Sequence, residues 1–154
     1  MLLGEAPGKT EDATGLPFIG SSGRLLDFIL KEVVPFFGLV TNTVCCRPAD
    51  NEQYNREPTP PEINLCRDHI TELIDHYQIQ GIVYLGKIAQ SYDTRLPKVN
   101  LMHPAFILRM EYKYYTIQKQ RELLNNFIKE LTTPKLSSNR KANNGLHQKT
   151  KSIQ

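Results

Sequence analysis

Four short strand-like runs, separated by longer helical patterns, limit this chain to one broad architecture. Met1–Leu3 is apolar throughout, Gly38–Val44 (Gly-Leu-Val-Thr-Asn-Thr-Val) is rich in β-branched residues, and Gly81–Leu85 (Gly-Ile-Val-Tyr-Leu) has no polar face. Lys98–Met102 is the fourth run. A strand without polar alternation needs cover on both sides, which a parallel sheet flanked by helices provides. The intervening segments supply that cover. Ser22–Val33 follows a Ser-Ser-Gly start and is apolar at Leu25, Leu26, Phe28, Ile29 and Val33. Pro61–Tyr77 places Ile63, Cys66, Ile70, Leu73, Ile74 and Tyr77 on one side, with Pro61 near its N-terminus. Gly86–Tyr92 opens a short helix, and Tyr114–Leu131 carries Ile117, Leu123, Leu124, Phe127, Ile128 and Leu131 as a stripe. Arg47–Pro61, with its prolines, asparagines and charges, reads as a long surface loop. This alternation predicts an α/β fold, a three-layer α/β/α arrangement around a mainly parallel four-stranded sheet.

The chain is 154 residues long, 40% hydrophobic and 23% charged, enough for one domain with a real core. That domain is expected over 1–133. From Lys135 onward, Lys135, Arg140, Lys141, Lys149 and Lys151 occur with no acidic residue and almost no large apolar ones. Such a segment cannot offset its ordering entropy, so 134–154 is expected to be a disordered basic tail. It either adds phosphate attraction or is a solvated terminus. No apolar run approaches the length of a membrane span, and no leader precedes the first motif, so a cytoplasmic or nuclear (nucleoid) protein that is not secreted is expected. Three cysteines, Cys45 and Cys46 adjacent, make a poor disulfide framework and suit a reduced compartment or a metal role.

Three loops follow predicted strands: Gly4–Gly8, Thr41–Cys46 and His103–Arg109. In a parallel sheet the strand C-termini share one edge, so Glu5, Asn42 and His103 can converge on one crevice. A carboxylate, an amide and an imidazole together are the parts of an acid/base or anion-stabilising centre with a polar reader. Taken singly they have plainer readings: Glu5 an exposed loop acid, Asn42 a turn cap, His103 a structural histidine before proline.

The motifs go further. Gly4–Leu26 begins Gly-Glu-Ala-Pro-Gly-Lys-Thr-Glu-Asp and continues Gly-Leu-Pro-Phe-Ile-Gly-Ser-Ser-Gly-Arg-Leu-Leu; Thr41–Pro48 reads Thr-Asn-Thr-Val-Cys-Cys-Arg-Pro; His103–Arg109 reads His-Pro-Ala-Phe-Ile-Leu-Arg. Together they resemble the motifs of family 4 uracil-DNA glycosylases, the iron–sulfur branch of that superfamily, over residues 1–131. The resemblance implies a DNA repair enzyme that binds uracil-containing DNA as a monomer. It would hydrolyse the N-glycosidic bond of deoxyuridine and leave an abasic site, with no Schiff-base lysine. Phe18 would then stack on the base, a contact every base satisfies. Asn42 would discriminate, since its amide can accept from uracil N3–H and donate to O4 while cytosine presents the reverse pattern. His103 would donate to O2 as negative charge develops. Glu5 would orient water or stabilise the positive sugar, and backbone groups of Gly4, Glu5 and Ala6 would line the pocket. Phe106, Ile107, Leu108 and Arg109 would form the loop that enters the minor groove, with Ile107 and Leu108 as the wedge.

Two departures carry expectations of their own. The resembled family holds a 4Fe-4S cluster on four cysteines, of which Cys46 and Cys66 are matched here and an upstream Cys-x-x-Cys pair is not. Cys45 is a poor substitute because neighbouring side chains point apart. The cluster is therefore expected to be absent or its site incomplete in this chain. Gln90–Met102 is also shorter than the family's usual stretch, which predicts weaker support for His103. The rivals to an active glycosylase are a catalytically inactive DNA- or nucleotide-binding module and a hydrolase using Glu5 and His103 on another small substrate.

Overall fold

A computed structural model of the chain describes residues 1–33, 38–50 and 54–133. The expected tail, 134–154, lies outside the described residues. Strands β1 (Leu2–Gly4), β2 (Val40–Asn42), β3 (Ile82–Leu85) and β4 (Lys98–Leu101) form one sheet in the order β2-β1-β3-β4. Every pairing is parallel, with Gly4 opposite Asn42, Leu2 opposite Val83 and Leu85 opposite Leu101.

The period-2 alternation of a strand divides these residues between two cores. Leu2, Val83, Leu85 and Leu101 face Leu26 of α2 (Ser21–Leu30) and Leu124 and Phe127 of α5 (Lys113–Thr132). On the other face Leu3, Ile82 and Tyr84 meet Ile70 of α3 (Pro60–His76) and Ala89 of the 3-10 turn Ile88–Ser91. Helices thus cover both sides, and the expected α/β/α layering is what the chain forms. Each fully buried Leu or Ile is worth roughly 1.5–3 kcal/mol relative to exposure, so strands of three or four residues are held by their two apolar faces.

The path of the chain creates a crevice. β1 connects to β2 through α1 (Lys9–Thr14) and α2, and β2 connects through α3 to β3 on the opposite flank of β1. Where successive connections diverge, the carboxyl ends of the strands are left uncovered, and ligands bind there.

Several elements differ from the sequence expectation. α3 begins at Pro60 because Thr59 caps it: Thr59 and Glu62 form a capping box, and the Thr59 backbone N–H donates to Glu62 Oε2 at 2.8 Å. Arg56 clamps the same carboxylate through two nitrogens, at 2.8 and 2.7 Å. β2 ends at Asn42 rather than Val44, because Thr43 and Val44 donate their backbone N–H groups to Gly4 O and Glu5 O along the loop leaving β1. α4 (Pro104–Leu108) is a short helix in a segment read as a loop, and α1 is a short helix in a segment to which no element was assigned. On α5 the expected stripe is corrected at Leu123, which is exposed, while Thr116, Gln120 and Arg121 are buried. Tyr77, expected on the buried side of α3, is also exposed.

Candidate active site

The uncovered strand ends open into a cavity of about 450 Å³. Glu5, Ala6, Phe18, Asn42, His103, Phe106 and Arg109 all line it. Side chains more than a hundred positions apart are brought together, as the parallel-sheet reading requires.

Asn42 ends β2, and its position is set by pairing with Gly4. Its side chain is buried, and Oδ1 has no hydrogen-bond partner among the described residues. Leaving such an acceptor unsatisfied costs about 1–3 kcal/mol, which is the mark of a group held ready for a ligand. Gly4 makes the arrangement possible. A Cβ there would lie 2.5 Å from Asn42 Oδ1 and 2.4 Å from Phe18 Cζ, so any side chain would fill the pocket floor.

Phe18 adopts φ 56°, the left-handed region that a residue of this bulk rarely enters. Such a backbone costs on the order of 1–3 kcal/mol and persists only where its surroundings hold it. Here α2 does so: Phe18 O lies 1.4 Å from where a Cβ of Gly23 would stand, so the helix packs directly on the Phe18 backbone. Glu11, which the sequence reading left without a role, reinforces this loop by accepting from Gly20 N–H at 2.7 Å. No local pattern announces a carboxylate that caps a helix nine residues downstream.

His103 is the N-cap of α4, and its Nδ1 accepts from the Ala105 backbone N–H at 3.2 Å. That bond assigns the ring proton to Nε2, leaving a neutral imidazole that donates from its other nitrogen. Burial, reinforced by the Arg109 charge, holds its pKa below the usual histidine value. Gly86, at φ 90° after β3, lies against His103: a Cβ built on the glycine would stand 3.0 Å from His103 Cβ. Burial pushes the Glu5 pKa up, and the neighbouring Glu57 charge adds to the effect.

The segment expected to enter a minor groove is a helix, and it divides its residues. Phe106 is half exposed and Arg109 exposed, and both line the cavity. Ile107 is a correction: it is wholly buried against Ile29 and Ile117, so it packs α4 onto α2 and α5 and is not presented as a wedge. Leu108 is half-buried and does not line the cavity.

The cysteines lie apart from this cavity. Cys46 is exposed, and it is Cys45 whose backbone N–H donates to Cys66 Sγ at 3.4 Å. Burial and the adjacent Cys66 push the Cys45 thiol up to about 11. Among the described residues no group of three or more His, Cys, Asp or Glu side chains is disposed to hold a metal ion. Those residues alone therefore do not fit a four-thiolate cluster. No helix among them is long and apolar enough to cross a membrane.

A three-layer α/β fold thus gathers an amide, an imidazole, a carboxylate and an aromatic ring around one cavity at the strand edge. The sequence model of the Uracil DNA glycosylase superfamily matches residues 1–132, and the chain belongs to that superfamily. It is similar to the type-4 uracil-DNA glycosylase of Saccharolobus solfataricus, 34% identical over 75% of this chain and 52% of that protein. The Archaeoglobus fulgidus type-4 enzyme is 32% identical over 77% of this chain and 57% of its own length. That of Sulfurisphaera tokodaii is 39% identical over 60% and 41%. The chain thus spans about half the length of these relatives.

Proposed function

We propose that this chain removes uracil from DNA by hydrolysing the N-glycosidic bond of deoxyuridine, leaving an abasic site. The observation that carries the reading is the buried Oδ1 of Asn42, which has no hydrogen-bond partner among the described residues. Uracil N3–H is a donor and satisfies it, with O4 accepting from the Asn42 amide nitrogen; cytosine offers an acceptor at N3 and leaves Oδ1 unpaired. Phe18 supplies a face for stacking. As the C1′–N1 bond breaks, its electron pair passes onto uracil, and the Nε2–H of neutral His103 stabilises the charge developing at O2. Water then adds to the sugar carbon, with the Glu5 carboxylate stabilising its positive charge or orienting the water. No lysine is needed for covalent chemistry. Phe106 and Arg109 at the rim contact the strand around the flipped nucleotide. In this reading the chain acts as a monomer, in the compartment that holds DNA.

An oligonucleotide with a single deoxyuridine tests this directly. The chain is expected to liberate free uracil, and His103→Ala to slow single-turnover release by about 10²–10³ with little change in Kd. Tight binding of uracil-containing DNA with no release by the wild-type chain would establish the rival, a binding module without chemistry.

A further inference from the structure

Three of the most exposed aromatic residues among those described stand within four positions of one another: Tyr112, Tyr114 and Tyr115 are 76, 72 and 73% exposed. None of their hydroxyls is in a hydrogen bond among the described residues. Neither core packing nor a polar partner accounts for this amount of ring surface in water.

Their position follows from how α5 lies along the sheet. Near its middle, Gln120 Oε1 accepts from the backbone N–H of Met102, which follows β4 at the cavity edge. Towards its end, Phe127 and Leu131 pack where a Cβ of Gly81 would stand, just before β3 at the opposite edge. α5 therefore runs from the cavity edge to the far edge. At a rise of about 1.5 Å per residue, its first turn projects roughly 7–12 Å beyond Met102, past the ends of the strands. Tyr112 is three residues from Arg109, which lines the cavity, and Tyr115 lines a separate surface depression with Glu32, Gln118 and Lys119, so the tyrosines follow the rim residues along the chain without lining the cavity themselves. Arg109, Lys113 and Lys119 outnumber the acid Glu111 along the same stretch.

We propose that Tyr112, Tyr114 and Tyr115 form a stacking platform for unpaired nucleotides of the DNA strand that leaves the cavity past Phe106 and Arg109. The proposal rests on the uracil-excision reading of the cavity. Stacking needs an open base face, which a single strand offers and a duplex hides, while the flanking cations follow the phosphates. The occupant is therefore single-stranded DNA adjoining the excised base.

The test uses the 154-residue chain and a variant carrying Tyr112→Ser, Tyr114→Ser and Tyr115→Ser, all at solvent-exposed positions. Fluorescence anisotropy with a uracil-free thymidylate dodecamer is expected to show binding weakened about tenfold or more in the variant. In uracil release from single strands, the wild-type chain should show a kcat/KM about tenfold higher with long flanks than with short ones. The variant should lose that advantage and keep the wild-type kcat on the short substrate. Unchanged dodecamer affinity together with an intact flank advantage overturns the platform. So does an equal loss on fully paired duplex. If the wild-type chain releases no uracil from any strand while the variant still loses dodecamer affinity, the excision reading fails and the platform stands. Normal release with unaltered dodecamer affinity gives the converse.

Discussion

Two buried polar side chains, one at the cavity and one at the seam between α2 and α5, are treated by the fold in opposite ways. Arg121 is 4% exposed, and its donors are spent on the end of α2: Nη2 donates to Phe28 O at 2.7 Å and Nε to Ile29 O at 3.3 Å. Its Nη1 pairs with Glu32 at 2.7 Å, and the guanidinium lies over the Phe28 ring. Asn42 is 7% exposed, yet its Oδ1 is left unanswered among the described residues, beside a Phe18 backbone held in an unfavourable conformation. A satisfied buried group is costly to remove, because its partners are orphaned. An unsatisfied one is costly to keep, so its loss should relieve the fold while it damages recognition. The seam serves stability and the cavity gives some of it up.

The sharpest way to break this contrast is to remove each group in turn. Arg121→Ala is expected to lower unfolding free energy by about 3–4 kcal/mol in urea titrations, since it strands two helix-terminal carbonyls, and to leave uracil release per folded molecule unchanged. A loss below about 1 kcal/mol would show that water replaces the guanidinium and that the seam is not a fixed structure. Asn42→Ala should change stability by less than about 1 kcal/mol while reducing kcat/KM on deoxyuridine substrates by ten- to a hundredfold. Asn42→Asp in the same assay should erode discrimination against cytosine. If Asn42→Ala instead unfolds the chain as readily as Arg121→Ala, the amide is a structural group and the contrast disappears.

The smallest effect concerns pH. The Glu5 pKa is raised by burial and further by Glu57, so its carboxylate forms only at a higher pH than in a free side chain. The acid limb of a kcat/KM profile that needs this carboxylate is displaced upward accordingly. Glu57→Gln removes one of the two causes and should move that limb to lower pH, by less than about one unit because Glu57 is exposed. A limb that stays in place assigns the acid titration to another group. His103 is the alternative, and since its pKa is lowered, Arg109→Gln would shift its limb upward.

The layers and the convergence of Glu5, Asn42 and His103 were legible from short-range pattern, whereas Phe18, Phe106 and Arg109 entered only through the family resemblance. Apolar runs without alternation require a covered sheet, and loops after parallel strands meet at one edge whatever their separation in sequence. What stayed hidden depends on partners far along the chain. Gln120 and Arg121 sit on the buried face of α5, where a hydrophobic stripe has no place for them, because Met102 and the end of α2 supply their hydrogen bonds. Ile107 reads as an exposed wedge until α4 is seen to turn it onto Ile29 and Ile117. The capping box at Thr59 and Glu62 was readable and places the start of α3 one residue before Pro61. Cys45, set aside as a neighbour of Cys46, is the residue whose backbone reaches Cys66, since the bend after β2 decides which of the two faces α3.

Gly23 has a consequence for anyone who would move this pocket elsewhere. The address of the Phe18 ring is written five positions downstream, in a residue with no side chain to notice, because only a bare backbone lets the helix seat the loop above it. A graft that copied Glu5, Phe18, Asn42 and His103 onto another scaffold would inherit the chemistry without the seat. Residues 18–23 travel as a single cassette, and an alanine at its far end would evict the ring as surely as deleting it.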